Sequence, residues 1–429
     1  MKIRLMNNLF IGFFILLLIP FSYIAAYGLE QHTSLILKKE IPVGNESKID
    51  SDIRQKIENK TSDLSRWSVP SENNEIGVYI YLDSKSDKIP ENIPIFSRAE
   101  DIIYSKLSPH QIRALADLPN VKRIGFPIRA SIYDNSVSEG VNFSFANQMH
   151  SLGYTGSGVT VAVIDSGFFP LNPEISSNVE STSFGPTCGN ITCGDSDGHS
   201  HGTAVSEVVV DMAPDVRLRL YAGLDLIDTL NALDSAIASH VKIITMSIGF
   251  PSLGGDGTTG YFRDGTSLIA KKVNDARNAG ILVTVASGNS GQSSWSGTYL
   301  ASEVSPSTIG LQDYQSLMNF RPSLSGIQQT CLPVTDNGDG YYVSWNDWDL
   351  SDQDYDLYAF NSSFTAFYGQ SIGSQTGFEP PIEGFLPHPP SGGVCLVLAS
   401  WSSSQNHFFH IDALGNSIDP SVLVKAGSL

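Results

Sequence analysis

Two short stretches between Gly156 and Thr203 constrain this chain more than any other part of it. The first, Gly158-Val-Thr-Val-Ala-Val-Ile-Asp165-Ser-Gly167, is a run of β-branched residues between glycines that ends in a carboxylate. A short continuous apolar run of this kind reads as a strand buried on both faces, as in a parallel sheet. Asp165 then falls at the strand's carboxyl end, the edge where open α/β sheets build their sites. The second stretch, Asp197-Gly-His-Ser-His201-Gly-Thr-Ala-Val205, sets an imidazole in a glycine-bracketed turn. A carboxylate can hold one histidine nitrogen in a fixed tautomer and stabilise the imidazolium, while the other nitrogen takes a proton from a hydroxyl nucleophile. His201 is the best candidate for the histidine that Asp165 orients.

Downstream, strand and helix signals alternate, the pattern of a parallel sheet with crossover helices. Residues 216–221 and 241–246 read as strands, and 229–239 as a helix with Leu230, Leu233 and Ile237 on one face. A second helix spans 268–279 and stops at Gly280. The strand 281–286 then leads into Ser287-Gly-Asn289-Ser-Gly291.

Val-Ala-Val-Ile-Asp165-Ser-Gly and His201-Gly-Thr-Ala-Val resemble the aspartate and histidine motifs of the subtilisin-like serine peptidases, the subtilases. Ile281-Leu-Val-Thr-Val-Ala-Ser-Gly-Asn289-Ser-Gly is similar to the strand and turn that carry that family's oxyanion-hole asparagine, and it follows in the family's order. The resemblance implies a subtilisin-like parallel sheet with flanking helices, and endopeptidase chemistry on protein or peptide substrates through an acyl-enzyme. It makes Asp165, His201 and Asn289 catalytic, and places Ser247, Ile248, Gly249, Ala286, Ser287 and Gly288 along the bound substrate. The chemistry requires no cofactor.

The family's last motif, Gly-Thr-Ser-x-Ala-x-Pro with the nucleophile, does not occur after Asn289. Gly265-Thr-Ser267-Leu-Ile-Ala270 is superficially like it, but precedes Asn289, lacks the proline and leads into the 268–279 helix, so Ser267 reads as a helix N-terminal residue. Two expectations follow. In the first, this is the N-terminal part of an active protease, and the 429-residue chain alone is inactive. In the second, it is a subtilase-derived protein that binds peptides or surfaces without catalysis. His199 and His201 are two apart, as a metal pair can be, but no third ligand with suitable spacing accompanies them; His199 reads as a loop residue.

The flanks have their own signatures. Lys2 and Arg4, an apolar run from Leu9 to Phe21 and then Ala25-Ala26 have the parts of a secretory signal. The apolar run is also nearly long enough to remain as an anchor, the one membrane contact expected. Either way the body of the protein is expected outside the cell or at its surface. The 26 basic against 44 acidic residues, a net charge of −18, argue against a nucleic-acid partner, since little here would neutralise phosphates. Residues 44–66 are polar and read as loosely ordered or helical in patches. Beyond them come a strand at 78–82, a helix face at Ala114, Leu115 and Leu118, and a strand at 121–126. Ser108-Pro109-His110-Gln111 spells a capping box with proline at the first helical position. This strand–helix–strand block is similar to subtilase pro-segments, which the resemblance makes an intramolecular inhibitor joined to the protease at 128–138; a small domain without that role is the alternative.

Beyond Trp295 helical periodicity ends. Short alternating runs such as Tyr341-Tyr-Val-Ser-Trp345 and Val394-Cys-Leu-Val-Leu398 lie between turn residues, the signature of a β-sandwich. The expected organisation is a signal or anchor at 1–26, a pro-segment at 27–135, the catalytic unit at 136–300 and an inserted β-sandwich at 301–429. Of the four cysteines, Cys188 with Cys193 and Cys331 with Cys395 are the simplest disulfide pairs, in keeping with an exported protein. Asp336, Asp339, Asp347, Asp349, Asp352, Asp354 and Asp356 crowd two loops, where they are either calcium ligands or solvated turn residues.

Overall fold

The computed structural model describes residues 42, 44–58, 75–127, 131–132, 140–186, 188–193, 201–223, 225–250, 265–288, 292–335, 340–348, 351–385, 393–404, 407–414 and 418. The expected signal at 1–26, His199, Asn289, Asp336, Asp339, Asp349 and most of the 128–138 junction lie outside them. No helix among the described residues is long and apolar enough to cross a membrane.

In the N-terminal unit a 3-10 turn, Gly44–Lys48, leads into helix α1 (Ser51–Ile57). Strands β1 (Ile76–Leu82), β2 (Ser97–Ala99), β3 (Ile102–Leu107) and β4 (Val121–Gly125), with helix α2 (Pro109–Ala116) before β4, form an antiparallel sheet of order β2-β3-β1-β4. All seven residues of β1 are buried, and its sequence explains how. Val78, Ile80 and Leu82 lie in one apolar cluster with Ile49 and Ile53 beside α1 and Ile112 and Leu115 of α2. Tyr79 and Tyr81 alternate onto the opposite face and pack outside the unit. The capping box at Ser108 and Gln111 forms in both directions. The strand–helix–strand reading omitted β2 and β3. The helical patches expected within 44–66 are the 3-10 turn and α1, which lie against this sheet with Ile49 bridging Ile124.

The N-terminal unit ends in a short strand, β5 (Ser131–Ile132), and the α/β unit follows: α3 (Gly140–Phe143), α4 (Ala146–Ser151), β6 (Thr160–Asp165), β7 (Val179–Phe184), α5 (His201–Met212), β8 (Arg217–Ala222), α6 (Leu226–Ala238), β9 (Ile243–Met246), β10 (Ile248–Gly249), α7 (Leu268–Asn278) and β11 (Leu282–Val285). Five of these strands make an all-parallel sheet of order β11-β9-β6-β8-β7, with β6 at its centre. This is the α/β fold that the resemblance implies, a parallel sheet with flanking helices and additional antiparallel sheets. Helix α6 begins three residues before the expected 229, because the Asp225 side chain accepts from the Asp228 N–H and caps it there. Strand β11 is an edge among the described residues, and Leu282 and Val285 on it are each 60% exposed.

Strands β12 (Ser294–Thr298), β13 (Ser316–Leu317), β14 (Leu332–Val334), β15 (Gly340–Trp345), β16 (Asp354–Asn361), β17 (Phe367–Ser371), β18 (Ile382–Phe385), β19 (Val394–Ser402) and β20 (Phe408–Leu414) form two antiparallel sheets. Their orders are β12-β20-β15-β18 and β13-β19-β16-β17, with β14 also on β19. Inward residues of both sheets, among them Tyr341, Trp345, Leu357, Leu396 and Phe409, share one aromatic-rich core. Because β12 pairs along its length with β20, the sandwich takes in Ser294–Thr298, ahead of the expected start at 301. Cys331 and Cys395 are bonded, as are Cys188 and Cys193.

Ser267 caps α7: its hydroxyl accepts from the Ala270 N–H at 3.2 Å. Ser267→Ala is therefore expected to lower stability in urea by about 1 kcal/mol; an unchanged midpoint would remove the capping role.

Candidate active site

The parallel sheet collects its candidate residues at one edge. Asp165 closes β6, Ser247 follows β9, and Ala286, Ser287 and Gly288 follow β11, all at carboxyl ends of strands. Parallel strands make this automatic, since each must send its chain back along a crossover from the same side of the sheet.

Asp165 is completely buried, and its protein donors gather on one oxygen, Oδ1, while Oδ2 has no hydrogen-bond partner among the described residues. Its Oδ1 accepts from the Ser166 N–H at 2.7 Å, the Ser166 hydroxyl at 3.2 Å and His201 Nδ1 at 2.7 Å. An ionised carboxylate only accepts, so Nδ1 carries the proton and Nε2 is the basic nitrogen of the neutral ring. The His201 side chain is 7% exposed. In this low-dielectric setting the carboxylate favours the imidazolium that would form on proton uptake.

His201 does not sit in a turn, as expected from its flanking glycines, but opens helix α5. Gly202 lets that helix approach the end of β6: a Cβ there would lie 2.3 Å from the Gly167 carbonyl oxygen, 2.8 Å from the Phe168 ring and 2.9 Å from Asp165 Cβ. Gly167 is closed in the same way by the disulfide loop, with Cys193 O 2.0 Å from a Cβ built on it. The Phe168 N–H donates to the Ile191 carbonyl at 2.8 Å, and the Phe169 N–H to Thr203 Oγ1 at 2.7 Å. Sequence reasoning quoted Ser166, Gly167, Gly202 and Thr203 as motif letters without these positioning contacts. Only their clustering around Asp165 and His201 pointed to them.

The structure brings Asp165 and His201 together. Ser247 and Gly249 are half-buried, Ile248 buried and Ser287 exposed. The Ala286 N–H donates to the Met246 carbonyl at 3.0 Å, which sets the 286–288 turn beside the start of the 247–249 segment. That segment is itself paired: β10 runs antiparallel to β5, with Ile248 opposite Ile132 and Gly249 opposite Ser131. Asn289 and His199 lie outside the described residues.

No group of three or more His, Cys, Asp and Glu arranged for a metal exists among the described residues. Three of the acids in the loops expected to hold either calcium ligands or solvated turn residues make side-chain contacts. Asp347 accepts from the Ser351 hydroxyl, Asp352 from the Gln353 amide, and the buried Asp356 from the Tyr314 hydroxyl.

The geometry has relatives. Residues 156–319 match the subtilase family. Subtilisin amylosacchariticus of Bacillus subtilis subsp. amylosacchariticus is 32% identical over 235 residues, covering 51% of this chain and 57% of that protein. The subtilisin of Bacillus pumilus is 33% identical over 206 residues, covering 44% of this chain and 68% of that protein. A solved structure, the epidermin leader peptide processing serine protease of Staphylococcus aureus, is similar at 18% identity over 52% of this chain and 61% of that one, with a TM-score of 0.36. The chain thus spans little more than half the length of the first of these subtilisins. With one subtilisin a third identical over 68% of its length and the family's model matching residues 156–319, the chain belongs to the subtilase family of serine peptidases.

Proposed function

We propose that this chain supplies the acid and base of an exported serine endopeptidase, held by its own N-terminal unit as an intramolecular inhibitor. The observation that carries the reading is the buried 2.7 Å contact between Asp165 and His201. It fixes the tautomer in which Nε2 accepts a proton, the arrangement a general base needs before a hydroxyl can attack a carbonyl. In the reaction, a serine hydroxyl gives its proton to His201 Nε2 and its oxygen bonds to the scissile carbonyl carbon. Asp165 stabilises the imidazolium, and an amide donor, assigned to Asn289 by family likeness, faces the tetrahedral oxyanion. His201 then protonates the leaving amine, and water releases the acyl group.

Residues 290–429 contain no Gly-Thr-Ser-x-Ala-x-Pro segment, so the serine is proposed to lie on further polypeptide and the 429 residues alone to be inactive. The same missing motif favours the second reading, a peptide-binding protein without catalysis.

The inhibitor role is supported by the pairing of β5 with β10. Ser131–Ile132 belong to the expected junction, and their backbone hydrogen-bonds to the segment assigned to the substrate main chain. A peptide added in this way to a strand edge gains its affinity from main-chain bonds. Tyr79, Tyr81, Ile102 and Tyr104 of the N-terminal sheet meanwhile pack with Leu226, Ile227 and Leu230 of α6. Lys272 of α7 reaches Glu100 at 2.9 Å and Asp234 at 2.8 Å, and its hydrogen bond holds the Glu100 carboxyl below the usual range.

In a protein that includes the coding sequence beyond Leu429, His201→Ala and Asp165→Asn are each expected to cut kcat for peptide hydrolysis by about 10⁴-fold, with the fold intact by circular dichroism. Casein hydrolysis by the 429-residue chain alone, abolished by His201→Ala, would refute the assignment of the nucleophile to further polypeptide. N-terminal sequencing of the processed product should place its first residue within 129–139; a start beyond Gly140 contradicts the inhibitor reading.

Gly202→Ala is expected to push α5 off β6 and lower activity in the same protein at least tenfold, since the clash is with backbone and a packed ring. Retention of full activity would show that the Asp165–His201 contact does not depend on this approach.

A further inference from the structure

Three of the N-terminal unit's contacts lie on the α/β unit, but one buried cluster of charged groups lies elsewhere, against the β-sandwich. Glu379 of the sandwich is 6% exposed. Its Oε1 accepts from the Ser51 N–H at 3.2 Å and from Arg54 Nη2 at 3.4 Å, and its Oε2 is 3.4 Å from the Ser51 hydroxyl. Ser51 and Arg54 are the first and fourth residues of α1. Glu379 thus satisfies an N–H at the helix's amino end, where a helix has unpaired donors.

Both sides of this contact are fixed from within their own units. On the sandwich side, the Ser351 N–H donates to the Glu379 carbonyl at 2.9 Å, the Gly377 N–H to the Ser351 carbonyl at 2.8 Å, and Pro380 and Pro381 restrict the chain that follows. The Ser351 hydroxyl is in turn tied to Asp347 and to the buried Trp345 indole. On the N-terminal side, Asp50 receives a two-pronged bond from Arg123, Nε to Oδ1 at 2.7 Å and Nη2 to Oδ2 at 2.9 Å, and Arg123 lies 4.6 Å over the Tyr81 ring. Beside the polar contact runs an apolar one: Ile382 of β18 is buried in the same cluster as Tyr79, Tyr81 and Leu226, with Trp348 packed against it.

We propose that the β-sandwich is a second docking surface for the N-terminal unit, with Glu379 as its latch, so that cutting the chain at the junction leaves that unit bound. The proposal rests on reading the unit as a pro-segment, but the contact itself needs no catalysis. Its consequence for regulation is that release requires separation from two partners, the α/β unit and the sandwich.

The latch is sensitive to pH. Burial pushes the Glu379 carboxyl up to about 8 from an ordinary 4.5. Arg54 and Arg123 of the N-terminal unit pull it down, while Asp50 of that unit and Glu383 of the sandwich add to the rise. The net rise makes a neutral carboxyl the form held at neutral pH. The long Arg54 contact agrees with this, since that guanidinium also donates to the Glu46 carbonyl at 3.1 Å and to the Ile49 carbonyl. The docked state therefore holds a proton that an exposed carboxyl would give up. Docking through Glu379 is strongest below about 4.5, weakens as pH rises and levels off above about 8.

The test uses the 429-residue chain with a site for a sequence-specific protease placed between Ile132 and Gly140 and a fluorophore on the N-terminal unit. After cutting, the labelled fragment should co-elute with the rest on size exclusion, and its exchange with excess unlabelled cut protein gives the dissociation rate. Glu379→Ala is expected to raise that rate about tenfold or more, and Arg54→Ala, which leaves the sandwich sequence untouched, to raise it in the same direction. Glu379→Gln, a neutral isostere, should dissociate slowly at every pH, whereas the natural chain dissociates faster at pH 8.5 than at pH 5. Immediate separation of the natural cut chain, an unchanged rate in Glu379→Ala, or a Glu379→Gln profile as steep as the natural one would overturn the proposal. Because retention is read without hydrolysis, a failure of the protease assignment would leave these results standing.

Discussion

A carboxylate with no access to water lies at the centre of this molecule, and the surrounding chain brings its donors to one oxygen of it. Asp165 ends the central strand of a parallel sheet and places one oxygen against three donors, one of them His201 Nδ1. An unpaired buried charge would cost several kcal/mol, so histidine, Ser166 and the turn that presents them are bound together energetically. Gly167 and Gly202 then become requirements of close approach, because helix α5 must begin almost in contact with the strand end. The disulfide loop closes over the same turn through the Phe168 N–H and the Ile191 carbonyl.

Much of this was legible in the sequence because the signals are local. The β-branched run before Asp165 could hardly be anything but a buried parallel strand, and the order of strands and crossover helices follows from periodicity. The capping box at Ser108 and the cap at Ser267 are likewise written within four residues. What stayed hidden depends on contacts between distant parts. The alternation of Tyr79 and Tyr81 with aliphatic residues looks like any strand; that the tyrosines bury against α6 of another unit is a tertiary fact. Ser294–Thr298 falls within the catalytic unit on the sequence reading because its partner, β20, is more than a hundred residues away. β11 carries the apolar residues of an interior strand yet is an edge among the described residues.

The three units are joined by different physics. The N-terminal sheet meets α6 through a largely apolar face, with the Glu100–Lys272–Asp234 ion pairs at its side. Its trailing segment, Ser131–Ile132, pairs antiparallel with the 248–249 strand. Its α1 meets the sandwich through a buried carboxyl. The third is built on a buried carboxyl whose burial raises its pKa, and under our proposal it makes the sandwich a point of control over the N-terminal unit.

The most direct measurement is the proton NMR spectrum of the chain labelled with nitrogen-15 at histidine. A bond from His201 Nδ1 to a buried carboxylate should give a far-downfield, slowly exchanging imidazole N–H resonance that disappears in Asp165→Ala. A His201 ring protonated on Nε2 alone, with a spectrum unchanged by that substitution, would contradict the pairing on which the whole account of the site rests.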